Sequence, residues 1–499
     1  MKMPAPALPI VLRCEDRLQP KLRYVFDTLL LAAGWKPAYV TAPPPSGPWV
    51  LYAPATVARP SDPRCLTVAH VPTAWQLFDG GSATVSCTTV DGLPIVLPGA
   101  PAAGPDGSHL AFDLPANAFY FLSSWSERCD RDGAGARRLY RDSVFRRLEI
   151  PQDIVDRYLH RLVDAVQRLR GRLGLPAWPE RAWPGGRSYA VVLSHDVDYL
   201  ARGRLDVLRQ GARTLARHLL KSREPRDAAS AGMALAKALL RGRDPYSDIR
   251  DLMARETRLG VRSSFQVAVA RRHPRDVNYR IDRPWVQERL RAIVEGGFDL
   301  CLHGSYRSTE DPRWYVEEAA LLERTLGRPR GSRQHFLAFD PDELFAAQEK
   351  AGIEYDMSMG YPDRSGPRSG FSFPYFPYCL AQDRPYDVLQ IGLGLMDVTL
   401  HTYMGLRGEA AWRSIAASLD DLRRKHGCTS VVWHPIVFGS ARDPGFGELY
   451  WRLVRAVQDQ GGWAVDGRQV NDFWRQEAGA HTGLLPSRPR PACTAALAA

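Results

Sequence analysis

No run in this 499-residue chain approaches the roughly 18 consecutive apolar residues a membrane-spanning helix requires. Cysteine is scarce. Eight are scattered at 14, 65, 87, 129, 301, 379, 428 and 493, with no Cys-x-x-Cys pair. That spacing excludes a zinc finger and is too sparse for a disulfide scaffold, so reduced thiols are expected. The first thirteen residues hold one lysine and a short apolar stretch broken by prolines; Arg13, Glu15, Asp16 and Arg17 follow at once. This is a poor match to a secretory leader, and a cytoplasmic location is expected. Also missing is any nucleic-acid reader motif beside the basic charge. Lysine and arginine exceed aspartate and glutamate by 11, but arginine dominates in a chain also rich in alanine, proline and glycine. A general compositional bias explains that better than a polyanionic partner, and no nucleic acid is expected.

What is present is a globular composition, 45% hydrophobic and 24% charged, long enough for two or three domains. Residues 1–150 read as a small α/β domain. Pro9–Cys14 and Trp49–Ala53 have strand character, and Leu22, Val25, Leu29 and Leu30 mark a helix that ends at Gly34. The connecting segment 151–187 opens on an amphipathic helix, expected over 150–173 and striped by Ile154, Tyr158, Leu162, Val166 and Leu169. A Pro/Trp/Gly linker, Leu175 to Gly186, follows it. From 188 to 477 apolar strands alternate with helical patterns. The strands are expected at 189–195, 261–269, 298–303, 332–338, 353–359, 388–396 and 429–434. Continuous apolar strands separated by helices imply a parallel sheet sheathed by helices, and seven such units imply a distorted (β/α) barrel. Residues 478–499, rich in proline, alanine and arginine, read as a disordered tail.

An arginine-rich helical insertion, 201–243, interrupts the barrel rhythm. Arg202, Arg204, Arg209, Arg213, Arg217 and Lys221 stand beside a leucine stripe. A solvated helix is the ordinary account; a lid, or a weak contact with an anionic membrane surface, is the sharper one.

The chemistry-bearing residues gather at strand ends. The strand Tyr189–Leu193 runs into Ser194-His195-Asp196-Val197-Asp198, where two carboxylates two residues apart in extended chain point the same way. Adjacent anions are costly unless a cation or proton lies between them. Phe298–Leu302 leads into His303-Gly304-Ser305-Tyr306, the next strand into Arg333-Gln334-His335, and the last into Trp433-His434. One histidine at a strand end is as readily a core residue as a ligand. Four on strands of one barrel rim point to a shared site.

These residues, over about 188–475, resemble the polysaccharide deacetylases, the carbohydrate esterase family that includes chitooligosaccharide and peptidoglycan deacetylases. The family's order of motifs is followed by Asp196/Asp198, His303, Arg333, Asp397 and His434. The segment Ala118–Ser124 and the helix after it look like the extra N-terminal domain of a divergent branch. The resemblance implies hydrolysis of an N-acetyl group on an amino sugar or polysaccharide, with a divalent metal, zinc, as cofactor. Carried over by order, Asp196 is the base, Asp198 and His303 are metal ligands, His434 is the proton donor, Asp397 orients His434, and Arg333 keeps Asp196 ionised. Two departures stand out. Val197 splits the family's adjacent aspartates, and Arg307 occupies the second ligand histidine's position four residues after His303. Arginine offers no lone pair to a metal. Either His335 supplies the third ligand, or the metal is weakly held, or activity is lost; His335 is the expectation. Rim aromatics are the expected sugar-stacking surface: Tyr306, Phe336 and Tyr361, with Phe371, Phe373, Tyr375 and Phe376 on a substrate loop whose Arg368 faces the cleft. The alternatives are a non-sugar amide as substrate, a catalytically decayed glycan-binding or assembly protein, and a surface-binding protein driven by 201–243.

Overall fold

The computed structural model describes residues 5–485, apart from 80–84, 100–107, 130–142, 439–444, most of 202–248 and a few single positions. The basic insertion therefore lies largely outside the described residues. No helix among those described is long and apolar enough to cross a membrane, and the described cysteines 14, 65, 87, 301, 379 and 428 are all unpaired. The chain divides into two compact units, neither contiguous in sequence: 1–182 with 367–389 and 473–489, and 183–366 with 390–472 and 490–499.

The first unit is built on a five-stranded parallel sheet. Its strands are β1 (Ala7–Leu12), β2 (Lys36–Tyr39), β3 (Trp49–Pro54), β4 (Cys65–His70) and β5 (His109–Leu110), in the order β2-β1-β3-β4-β5. Helix α1 (Gln19–Ala33) begins with a proline in its first turn and stops at Gly34, whose φ of 79° is a left-handed conformation that costs glycine nothing. Asp113 caps α2 (Leu114–Leu122) by accepting from Ala116 N. Helix α3 (Ile154–Arg172) buries the stripe of Ile154, Tyr158, Leu162, Val166 and Leu169. Burying each of these side chains stabilises the unit by about 1.5–3 kcal/mol. The expected disordered tail needs correcting at its start. The last helix runs from Gly467 to His481, and Ala478 and Leu484 are buried. Composition suggested a break there, but a few alanines and glycines do not stop a helix whose apolar side chains are covered.

The second unit is the barrel, an all-parallel α/β sheet of nine strand segments. In chain order they are β6 (Ala190–Asp196), β7 (Ser264–Val267), β8 (Asp299–Gly304), β9 (Gly331–Gln334), β10 (Tyr355–Asp356), β11 (Leu389–Gln390), β12 (Leu393–Met396), β13 (Cys428–Val432) and β14 (Trp463–Val465). The sheet runs β11-β10-β9-β8-β7-β6-β13-β12. Its two ends belong to one stretch of chain. Ile391 N donates to Asp356 O and Leu393 N to Met359 O on one side, while Ser430 N donates to Gly392 O on the other. All seven strands expected from the sequence are present, with the 388–396 strand in two segments. The eighth, β14, pairs with Ala190–Val192 of β6, leaving Ser194–Asp196 of the same strand to pair with β7. Three apolar residues had left it unnoticed.

Helices alternate with the strands: α4 (Ile249–Arg258), α5 (Pro284–Glu295), α6 (Pro312–Thr325), α7 (Pro341–Lys350), α8 (Gly408–Lys425) and α9 (Phe446–Asp459). Proline in the first turn starts α5, α6 and α7, and the side chains of Asp311 and Asp340 cap the latter two. Strand β9 ends earlier than expected. After Gln334 the chain makes a tight turn in which Phe336 and Leu337 both have left-handed φ values, 59° and 54°.

Candidate metal centre

The polar residues that follow the strands converge at the C-terminal ends of the barrel. Asp196 closes β6, Asp198 lies two residues on, His303 sits near the end of β8, Arg333 is in β9, and His335 begins the turn after it. Val197, which separates the two aspartates, is buried, and its carbonyl accepts from Tyr279 Oη at 2.7 Å. His434 follows β13 and Asp397 follows β12. Seven residues expected to carry the chemistry are thus gathered at one place, although 238 positions separate Asp196 from His434 in sequence.

The tightest grouping is Asp198, His303 and His335, each offering one ligand atom within 4.8 Å of the others. His303 Nε2 lies 3.4 Å from Asp198 Oδ1, and His335 Nε2 lies 3.9 Å from Asp198 Oδ2. Ligands about 2.0–2.1 Å from one tetrahedral zinc lie about 3.3–3.4 Å from each other, so these separations are close to what a cation needs. Two buried atoms, Asp198 Oδ1 and His303 Nε2, have no hydrogen-bond partner among the described residues. An imidazole nitrogen and a carboxylate oxygen, buried, turned toward each other and hydrogen-bonded to no other described group, fit a shared cation. Both histidines are fixed from behind. His303 Nδ1 faces the carbonyl of Arg333 at 3.0 Å, and His335 Nδ1 faces Asp276 Oδ1 at 3.5 Å. Arg307, in the family's second histidine position, is exposed in a single helical turn.

Electrostatics separate the two aspartates. Burial pushes the Asp196 carboxyl up, but the Arg333 guanidinium, with His303 and His434, outweighs it and holds the group below the usual carboxylate range. Arg333 is itself buried. It donates from Nη1 to Asp196, from Nη2 to Ser194 Oγ at 2.9 Å and from Nε to Met357 O at 3.1 Å. Burial also pushes Asp198 up; the His303 imidazole beside it, with the charges of His335 and His434, holds it well below the usual range. Its side chain is 35% exposed, so the group opens to solvent at this residue.

His434 is the cationic end of the group. Burial lowers its pKa, but Asp397, 2.7 Å from Nδ1, followed by Asp198 and Asp196, pushes it up to about 10. Asp397 also accepts the backbone N–H of His434 at 2.8 Å and that of Val398 at 2.6 Å. With Nδ1 engaged, Nε2 points inward, 3.7 Å from Asp198 Oδ2. His195, although in the midst of the first motif, belongs to the core: Nδ1 faces Trp433 O at 2.6 Å and Nε2 faces Glu256 Oε1 at 3.0 Å.

The expected substrate contacts divide. Tyr306 is near the metal group, stacked on His273 with ring centroids 4.4 Å apart and edge-on to Phe336 at 5.8 Å. Phe336 is stacked on His335 at 4.2 Å and is 46% exposed. Arg368, Phe371 and Tyr375 are a correction. They belong to the first unit, where Arg368 is buried in a two-pronged pair with Glu127 (Nε–Oε1 2.7 Å, Nη2–Oε2 2.8 Å). Phe371 and Tyr375 pack in that unit's core with Phe373. A run of aromatics reads the same in sequence whether it faces a sugar or a core. The residue that the sequence reading missed is Asp276; a single aspartate in the basic stretch Arg271–Arg280 carries no spacing signal.

No protein-family model and no curated protein sequence matches the chain. Solved structures do. A provisionally assigned polysaccharide deacetylase from Mycobacterium smegmatis is similar over 62% of this chain and 97% of its own, at 17% identity and a TM-score of 0.39. Puue allantoinase is similar over 59% of this chain and 92% of its own, at 13% identity and a TM-score of 0.39. The peptidoglycan deacetylase PdaC from Bacillus subtilis is similar over 58% of this chain and 94% of its own, at 10% identity and a TM-score of 0.28.

Proposed function

We propose that the barrel is a metal-dependent amide hydrolase that removes an N-acetyl group from an amino sugar or polysaccharide. The observation that carries this reading is the Asp198–His303–His335 group, in which two buried atoms, Asp198 Oδ1 and His303 Nε2, face each other at 3.4 Å and have no hydrogen bond to another described group. Those three residues would hold a divalent cation, zinc by ligand type. A cation there supplies a Lewis acid for an amide carbonyl and lowers the pKa of water.

The chain's own residues supply the rest. Asp196, kept ionised by Arg333, accepts the proton of an attacking water. His434, kept protonated at neutral pH by Asp397, donates a proton to the departing amine, which is a poor leaving group without it. Because Asp397 engages Nδ1, the proton leaves from Nε2, the nitrogen that faces Asp198. The exposed ring of Phe336 offers a face on which a sugar can stack.

The test is acetate release from N-acetylated glycans in the presence of zinc or cobalt. Asp196→Asn is expected to lose about 10²–10⁴-fold in kcat, the usual worth of a general base, while binding metal as the parent does. Equal activity in the two proteins removes Asp196 as the base. A parent protein that binds no divalent metal removes the reading altogether.

A further inference from the structure

The family pattern places two ligand histidines on one stretch of chain. Here the third candidate comes from a different strand end, and something must hold it there. The segment 276–279, between β7 and α5, touches the chain beside all three candidate ligands. Asp276 Oδ1 accepts the N–H of Tyr306 at 2.8 Å, three residues past His303, and lies 3.5 Å from His335 Nδ1. Its other oxygen accepts His273 N at 2.8 Å. Asn278 N donates to Asp198 O at 3.4 Å, while its side chain accepts Leu200 N at 2.9 Å and donates to Leu200 O at 2.8 Å. Tyr279 Oη donates to Val197 O. The Asp276 side chain is almost wholly buried, 1% exposed, with its oxygens directed at these partners.

His335 needs such a partner. It lies just past the end of β9, in a turn with left-handed residues at 336 and 337. An imidazole binds a metal well through one nitrogen when the other is fixed by an acceptor, which sets both tautomer and ring plane. We infer that Asp276 is the positioning residue of the metal centre: it holds the proton on His335 Nδ1, turns Nε2 toward Asp198, and ties that histidine to the segment that follows His303. This rests on the metal-site reading above and names the group that lets a histidine from β9's end serve in place of the one that Arg307 displaces.

The experiment is cobalt titration of the metal-stripped full chain, read by visible absorption and by competition with a chelator, for the parent, Asp276→Ala, His335→Ala and the double variant. Asp276→Ala is expected to bind cobalt about 10–100-fold more weakly. The double variant is expected to bind no more weakly than His335→Ala alone, because Asp276 acts through His335. Parent affinity in Asp276→Ala, or a loss that adds in full to that of His335→Ala, overturns the inference. Should Asp276→Ala fail to fold, Asp276→Asn takes its place, with a several-fold loss expected that vanishes in the His335→Ala background; persistence of the loss there overturns the inference. A parent that binds no cobalt overturns this inference and the hydrolase reading together. A parent that binds cobalt and is indifferent to His335→Ala overturns only the inference.

Discussion

Replacing Arg333 by methionine isolates the electrostatics of the barrel interior from any question of turnover. In the parent, the guanidinium has all three nitrogens engaged and is the main charge holding buried Asp196 ionised. Methionine fills much of the space but leaves a buried carboxylate without its cation. Breaking one side of a buried pair costs about 3–5 kcal/mol. At roughly 2–4 °C per kcal/mol for a domain of this size, the melting midpoint at pH 7.5 falls by about 6–20 °C. The pH dependence is the sharper readout. In the parent, Asp196 titrates below its unfolded value, so its contribution is present above about pH 4 and is lost as pH falls through the folded pKa. In Arg333→Met, burial acts without its main opponent and the folded pKa rises. The variant then loses stability as pH increases, because the unfolded chain gives up that proton first. The gap between the two proteins therefore widens as pH rises above about 4. Adding Asp196→Asn to the variant should remove most of that pH dependence. The assay is thermal unfolding in chelator across that range, following the barrel by near-ultraviolet circular dichroism. A gap that stays constant with pH, or one unchanged by Asp196→Asn, refutes the argument that Arg333 serves chiefly to hold the Asp196 charge.

Other expectations are simpler. If His434 is the proton donor, kcat falls on the alkaline side as His434 loses its proton, and Asp397→Asn moves that limb toward neutrality because the largest opposing charge is gone; an unmoved limb in the pH–rate profile counts against the pairing. Gly331→Ala would place a methyl 2.2 Å from the Tyr355 ring, and a loss of about 1–3 kcal/mol is expected in denaturant unfolding. In the first unit, the Asp113 carboxylate accepts from Tyr52 Oη, Trp75 Nε1, Val71 N and Ala116 N. Asp113→Asn turns an NH₂ toward at least one of those donors and should cost about 1–3 kcal/mol, measured as a lowered melting midpoint for that unit.

The barrel was legible because its strands are short, apolar and evenly spaced, and because its histidines and aspartates stand at strand ends. Periodicity placed α3 and its buried face correctly for the same reason. What escaped was set by tertiary context. Strand β14 is three residues long and has meaning only beside β6. Arg368 and its aromatic neighbours look identical in sequence whether they contact a ligand or Glu127. Asp276 carries no pattern, because its role comes from where the chain after β7 passes His335 and Tyr306. The turn at Phe336 and Leu337 puts two non-glycine residues in left-handed backbone, which strand-forming side chains would not suggest.

The pairing of β6 has a consequence for how the protein is made. This strand carries Asp196 and leads to Asp198, yet its partners β13 and β14 begin at Cys428 and Trp463, more than about 230 residues later. At a ribosome adding roughly 5–20 residues per second, one apolar edge waits on the order of 10–50 s for its neighbour. Throughout that interval Ala-Val-Val-Leu is a template for pairing with another nascent chain. His434, which arrives just behind β13, is in place only once that edge is covered. Chains interrupted before Cys428 are therefore both sticky and chemically incomplete, and yield on overexpression should rise with chaperone supply rather than with induction strength.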